Sequence, residues 1–153
     1  MNLGRFLSEA VFRNRAVVGS KDLDEWSSSL SGALKEFYAS KDLDEAVERL
    51  DGLAQAHHEE ALDKYMWAVV EESKSERRVL AFQLLAALYE RAFGADTLVS
   101  SLDAFFEEDA GFDDLKMDVP NIVSILKDEA FPALKEVIGD EFSRIQKRLD
   151  EKE

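Results

Sequence analysis

The chain has 153 residues, no cysteine, 46% apolar residues and a formal net charge of −14 at pH 7. Its length predicts a single domain with enough apolar content for a core, and the lack of cysteine excludes disulfides and thiolate metal sites. So acidic a surface argues against a phosphate-neutralising face for nucleic acid and suits a partner with a basic face, while no apolar run approaches the roughly 20 residues that span a bilayer.

Residues 1–20 differ from the rest. Leu3, Phe6, Leu7, Ala10 and Val11 fall on one face of a helix. Arg5, Arg13 and Arg15 against Glu9 give this segment +2, which leaves −16 on the remainder. A transit peptide and a lipid-binding segment have this composition too; the reading adopted is an accessory amphipathic helix docked on an acidic body. Gly19 and Ser20 end it.

Ser20-Lys21-Asp22-Leu23-Asp24-Glu25 recurs almost unchanged as Ser40-Lys41-Asp42-Leu43-Asp44-Glu45. In each copy an Asp precedes a Glu by three, the spacing of a capping box, so each copy predicts a helix start. Trp26, Leu30, Ala33, Leu34, Phe37 and Tyr38 form the apolar stripe of the first helix. Leu43, Ala46, Val47, Leu50 and Leu53 form that of the second, weakened at its end by Gly52. A third helix begins near His57 and carries Ala61, Leu62, Tyr65, Met66, Val69 and Val70. Ser73 with Glu76 predicts a capping box for a fourth, apolar on nearly all sides from Val79 to Phe93 and therefore central, with Gly94 as its C-cap.

A fifth helix after Asp96 or Thr97 presents Leu98, Val99, Leu102, Phe105 and Phe106. Then comes Phe112-Asp113-Asp114-Leu115-Lys116-Met117-Asp118-Val119-Pro120-Asn121, a joint both acidic and stiffened by proline. Pro120 fixes its own φ and pushes Val119 toward extended geometry, so a helix can begin there but none can run through. Asp118 is placed to cap the helix that follows, whereas Asp114 has no structural task of that kind. The sixth helix starts near Val119 with Ile122, Val123, Ile125, Leu126 and Ala130, and Pro132 should kink or split it. Gly139-Asp140 separates a last helix bearing Phe142, Ile145 and Leu149.

No segment alternates with period two. About seven or eight helices with short joints predict an all-α fold of stacked antiparallel hairpins, a short right-handed stack of helix pairs. The organisation expected is an accessory helix over 1–20, a helical domain over 21–138, and a C-terminal helix with a frayed tail over 139–153.

Catalytic signals are lacking: there is no Gly-rich phosphate loop, no nucleophile elbow and no cysteine. His57, His58, Glu59 and Glu60, with Asp63 a turn further on, offer metal-ligand atoms. Adjacent helical residues point about 100° apart, however, so the cluster reads as a polar helix start. No enzyme activity, cofactor or metal is expected.

Several stretches resemble the MA-three domain of eukaryotic translation control, the domain found in programmed cell death four and in initiation factor four gamma. They are Glu36-Phe37-Tyr38 with Asp42-Leu43-Asp44-Glu45-Ala46; Ala68-Val69-Val70-Glu71; Glu76-Arg77-Arg78 leading to Leu84-Leu85-Ala86-Ala87-Leu88; and Asp114-Leu115-Lys116-Met117-Asp118-Val119-Pro120. They occur in the family's order over roughly residues 27 to 138, and the last is the specific one. The chain departs from the pattern with Met117 for the usual Leu, Ile122 for a small residue, and Pro132 where the family's helix usually continues.

The resemblance implies a HEAT-like α-α superhelix of stacked hairpins, a module that binds the DEAD-box RNA helicase of translation initiation, factor four A, and modulates it. The family's two contact acids map onto Asp114 and Asp118, and Asp113, Val119, Pro120 and Asn121 complete the expected partner-binding site. A monomer with no direct nucleic-acid or membrane contact is expected, in the cytoplasm, with the nucleus as the alternative location. The alternative is a helical adaptor for a different protein, its acidic turn merely solvated.

Overall fold

The computed structural model describes residues 21–153; the accessory helix expected over residues 1–20 lies outside them. The described residues form an all-α fold whose ordered elements are joined by short turns. Both predicted helix starts form with the Asp as N-cap, but the returning half of the capping box is not made among the described residues: the Asp42 N–H donates to the Ser40 hydroxyl at 3.1 Å. Asp22 caps α1 (Leu23–Ser40) by accepting from the Glu25 N–H at 2.7 Å, and Asp42 caps α2 (Leu43–Leu50) by accepting from Glu45 at 3.1 Å.

After a short 3-10 turn (Gln55–His57) come α3 (His58–Val70) and α4 (Ser75–Leu88), and α4 continues through a π-turn over Tyr89–Phe93. Gly94 closes it with φ +105° and donates its N–H to the Tyr89 carbonyl at 2.7 Å, a conformation that favours glycine. The capping box expected at Ser73 does not form. The helix starts two residues later with Lys74 at its N-cap and no side-chain cap, while the Ser75 hydroxyl donates to Glu129 instead.

Next is α5 (Ala95–Phe105), followed by α6 (Gly111–Asp118). The joint read from the sequence as an acidic turn is thus mostly helix. Phe112 and Leu115, three apart, are both buried, and Asp113 and Asp114 stand in the first turn, where the helix dipole favours acids. Pro120 still has the predicted effect: α6 stops at Asp118 and Val119 is drawn out to φ −128°, ψ 82°.

The sixth predicted helix begins at Ile122 rather than near Val119. Asn121 stands at its N-cap without a side-chain bond, so Asp118 does not cap it. It runs as α7 (Ile122–Ile125), a π-turn (Leu126–Ala130) and α8 (Phe131–Ile138). The π-turn ends where the Phe131 N–H reaches back to Leu126, and Pro132 follows in the first turn of α8. Proline is tolerated there because first-turn N–H groups have no intrahelical partner to lose. A 3-10 turn (Gly139–Glu141) leads into α9 (Phe142–Asp150).

Beyond sequence neighbours, α1 packs on α3, α2 on α4, α3 on α5, and α4 on α8, the repeat-like pattern of stacked helical hairpins. As its sequence predicts, α4 is central, with Ala81, Phe82, Leu84, Leu85 and Leu88 buried. The segment over 139–153 shares the same core, because Ile145 and Leu149 of α9 are fully buried in it.

Several polar groups taken into the core are paired across helices. Trp26 Nε1 donates to the Leu50 carbonyl at 2.7 Å, the Tyr65 hydroxyl to Ala81 at 2.6 Å, and the Tyr89 hydroxyl to His58 at 2.8 Å. No helix of the described residues is long and apolar enough to cross a membrane.

Candidate functional site: the exposed face of α6

The two buried residues of α6 fix which way the helix faces. With Phe112 and Leu115 turned inward, Asp114, Met117 and Asp118 fall at i, i+3 and i+4 on the exposed side. Met117 is 81% exposed, the only large hydrophobic residue so exposed among the described residues. Asp114 and Asp118 are exposed, and neither carboxylate has a hydrogen-bond or ion-pair partner among the described residues. Among the described residues the site is therefore two exposed, unpaired carboxylates one helical turn apart with a thioether between them.

The electrostatic settings of the acids differ. Asp114 lies in the first turn, where the helix dipole favours an anion. Asp118 is the last residue of the helix, where the dipole disfavours one by about 0.3–1 kcal/mol. Local stability therefore gives no account of the charge on Asp118.

Asp113 is engaged inside the chain. Its Oδ2 accepts from the Asp109 N–H at 2.8 Å and its Oδ1 from Lys152 Nζ at 3.0 Å. These donors, the Asp109 N–H foremost, hold its carboxyl below the usual range. Val119 is half-buried, its N–H bonded to Leu115 at 2.8 Å, while Pro120 and Asn121 are exposed beside the end of α6.

Behind α6 stands a feature that sequence reasoning missed. Gly111 lies so close to α3 that an added Cβ would collide with the Asp63 carboxylate and come within 3.0 Å of Phe105. Asp63 Oδ1 is buried without a partner. Burial raises the Asp63 pKa, the charges of Asp114 and Glu60 raise it further, and Lys64 opposes them. A lone glycine opening a helix was the one signal for this close approach.

The histidine cluster is split by the fold. His58 is a core residue rather than part of a polar helix start: its ring stacks on Phe93 at 3.9 Å and 8°. Nε2 faces the Leu53 carbonyl at 3.0 Å, which places the ring proton on Nε2, and burial moves the pKa below its ordinary value. Among the described residues no three His, Cys, Asp or Glu side chains converge as a metal site would require.

An open depression beside His58 is lined by Gln55, Glu59, Thr97 and Ser100. The hydroxyls of Thr97 and Ser100 there donate to backbone carbonyls, so neither is held by a base as a nucleophile would be.

Comparison of the chain with protein-family models, with curated proteins and with solved structures gives no match.

Proposed function

We propose that the chain is a non-enzymatic binding module that grips a DEAD-box RNA helicase of translation initiation through the exposed face of α6 and modulates its activity in the cytoplasm. The observation that carries this reading is the pair Asp114 and Asp118, exposed and without partners among the described residues, on either side of the exposed Met117. Carboxylates one turn apart suit Arg or Lys donors on a partner, through charge-assisted hydrogen bonds. Met117 supplies an adaptable apolar contact between them. The resemblance of residues 114–120 to the acid-bearing segment of the MA-three family names the helicase as that partner. It also brings Pro120 and Asn121 to the rim of the contact and leaves Asp113 as support behind it.

If each carboxylate receives a donor from the helicase, each is worth about 1.5–3 kcal/mol as a hydrogen bond between charged groups. Replacing both by Ala should then weaken binding at least about 100-fold. Neither substitution should unfold the chain, because both side chains are exposed.

The test is titration calorimetry of the wild type, Asp114→Ala, Asp118→Asn and the double alanine variant against purified helicase, each with a melting control. The affinity should also fall at high salt, where exposed pairs are screened. Wild-type affinity in a folded double variant would remove α6 as the site. No binding by the wild type at tens of micromolar would favour an adaptor for another protein.

A further inference from the structure

We propose that Lys152 is the positioning residue of this binding face, a role that rests on the reading of α6 given above. With eight residues, α6 is far shorter than the roughly 12–15 at which an isolated helix becomes even marginal, so its place depends on what ties it down. Phe112 and Leu115 anchor it from below. From the side, one residue holds three of its positions.

Lys152 Nζ donates to Asp113 Oδ1 at 3.0 Å and stands 5.7 Å from the ring centroid of Phe112. The Lys152 carbonyl accepts from Lys116 Nζ. The ends of this strap are themselves pinned, since Lys127 pairs with both Asp150 at 3.1 Å and Glu153 at 2.6 Å.

The strap has a consequence for recognition as well as for order. Three acids lie within six residues of α6, and the ammonium of Lys152 occupies the first. What faces outward is a pair with one spacing, Asp114 to Asp118. A partner whose two cations match one helical turn is favoured over one that needs only a diffuse acidic patch. Among the described residues Lys152 makes no hydrogen bond or ion pair with Asp114 or Asp118; it acts through Asp113 and Phe112.

The experiment measures amide hydrogen exchange of α6 and calorimetric affinity for purified DEAD-box helicase in the full chain and in Lys152→Met, Lys152→Arg and Asp113→Asn. A partly exposed ion pair together with a cation–π contact predicts that Lys152→Met lowers protection of the α6 amides about three- to tenfold and weakens binding by a similar factor. Lys152→Arg should restore both, and Asp113→Asn should reproduce part of both losses. Protection of the helices away from α6 should stay unchanged, which a general loss of stability would not allow.

Unchanged α6 protection in Lys152→Met overturns the proposal, as does unchanged affinity alongside a wild type that binds. A wild type that does not bind the helicase overturns the functional reading instead. In that case the exchange arm still decides whether Lys152 holds α6.

Discussion

At the scale of single residues, Asp63 carries a charge that its surroundings disfavour. One carboxylate oxygen is buried without a partner against Gly111, and Asp114 adds a like charge nearby. Its pKa is raised in the folded chain, so its contribution to stability is fully present below the ordinary carboxylate value and is lost as pH rises through the folded one. Where it is ionised, the Asp63 carboxylate is thus a cost.

Asp63→Asn keeps the shape and removes the charge, and should raise the melting temperature near pH 7. The gain should shrink as pH falls toward the ordinary aspartate value of 3.8. Melting curves of both chains across that range check it, and equal melting temperatures near pH 7 would contradict it. Because α6 sits directly on this carboxylate, the same series measures how α3 bears on the binding face.

At the scale of elements, the two π-turns matter most. Each lets a long helix end or bend without abandoning its buried residues: Tyr89–Phe93 brings Phe93 onto His58, and Leu126–Ala130 carries the chain to Pro132. The second also projects Glu129 toward the start of α4. There Arg78 donates to it twice, at 2.7 and 2.8 Å, and Ser75 adds a bond at 2.7 Å.

The side chains of this pair are only 14% and 11% exposed, so the bidentate contact is worth more than a surface ion pair. Glu129→Gln leaves Arg78 half-paired and should cost about 1–3 kcal/mol, short of the roughly 3–5 kcal/mol lost on breaking a fully buried pair. Denaturant unfolding measures it. Arg78 foremost, then Ser75, holds the Glu129 carboxyl below its ordinary range. The stability this pair supplies is therefore present above the ordinary glutamate value and lost as pH falls through the folded one, and the variant should lack that acid-side decline.

At the scale of the whole molecule, the last helix belongs to the body it follows. Ile145 and Leu149 are fully buried, Arg144 binds both oxygens of Asp103 at 2.8 and 3.0 Å, and Arg148 bridges Asp103 and Glu107. The strap from Lys152 to α6 then begins where α9 ends. Leu149→Ala should cost about 2–5 kcal/mol, as a large-to-small change in a packed core does. Removal of residues 139–153 should abolish cooperative unfolding or lower its midpoint sharply, read by circular dichroism. A truncated chain that melts like the full one would show the stack to be complete at Ile138.

Whatever depends on nearest neighbours along the chain was legible in the sequence. The two Asp N-caps, the 3.6-residue stripes, Gly94 as a stop, and Pro120 as the end of one helix all follow from local hydrogen bonding and φ restriction. So does the all-α class, since periodicity is a property of the chain itself. Asp114 and Asp118 could be singled out on the same footing, as acids beside a proline.

What the sequence left open was settled by residues far apart. Ser73 lost its cap role while Ser75 was drawn to Glu129, fifty-four positions away. The acidic joint became a helix because Phe112 and Leu115 found a core to enter. Lys152, thirty-nine positions from Asp113, took one acid out of the exposed set. Pairings of that kind depend on which helices the packed core sets side by side, and no local rule encodes them.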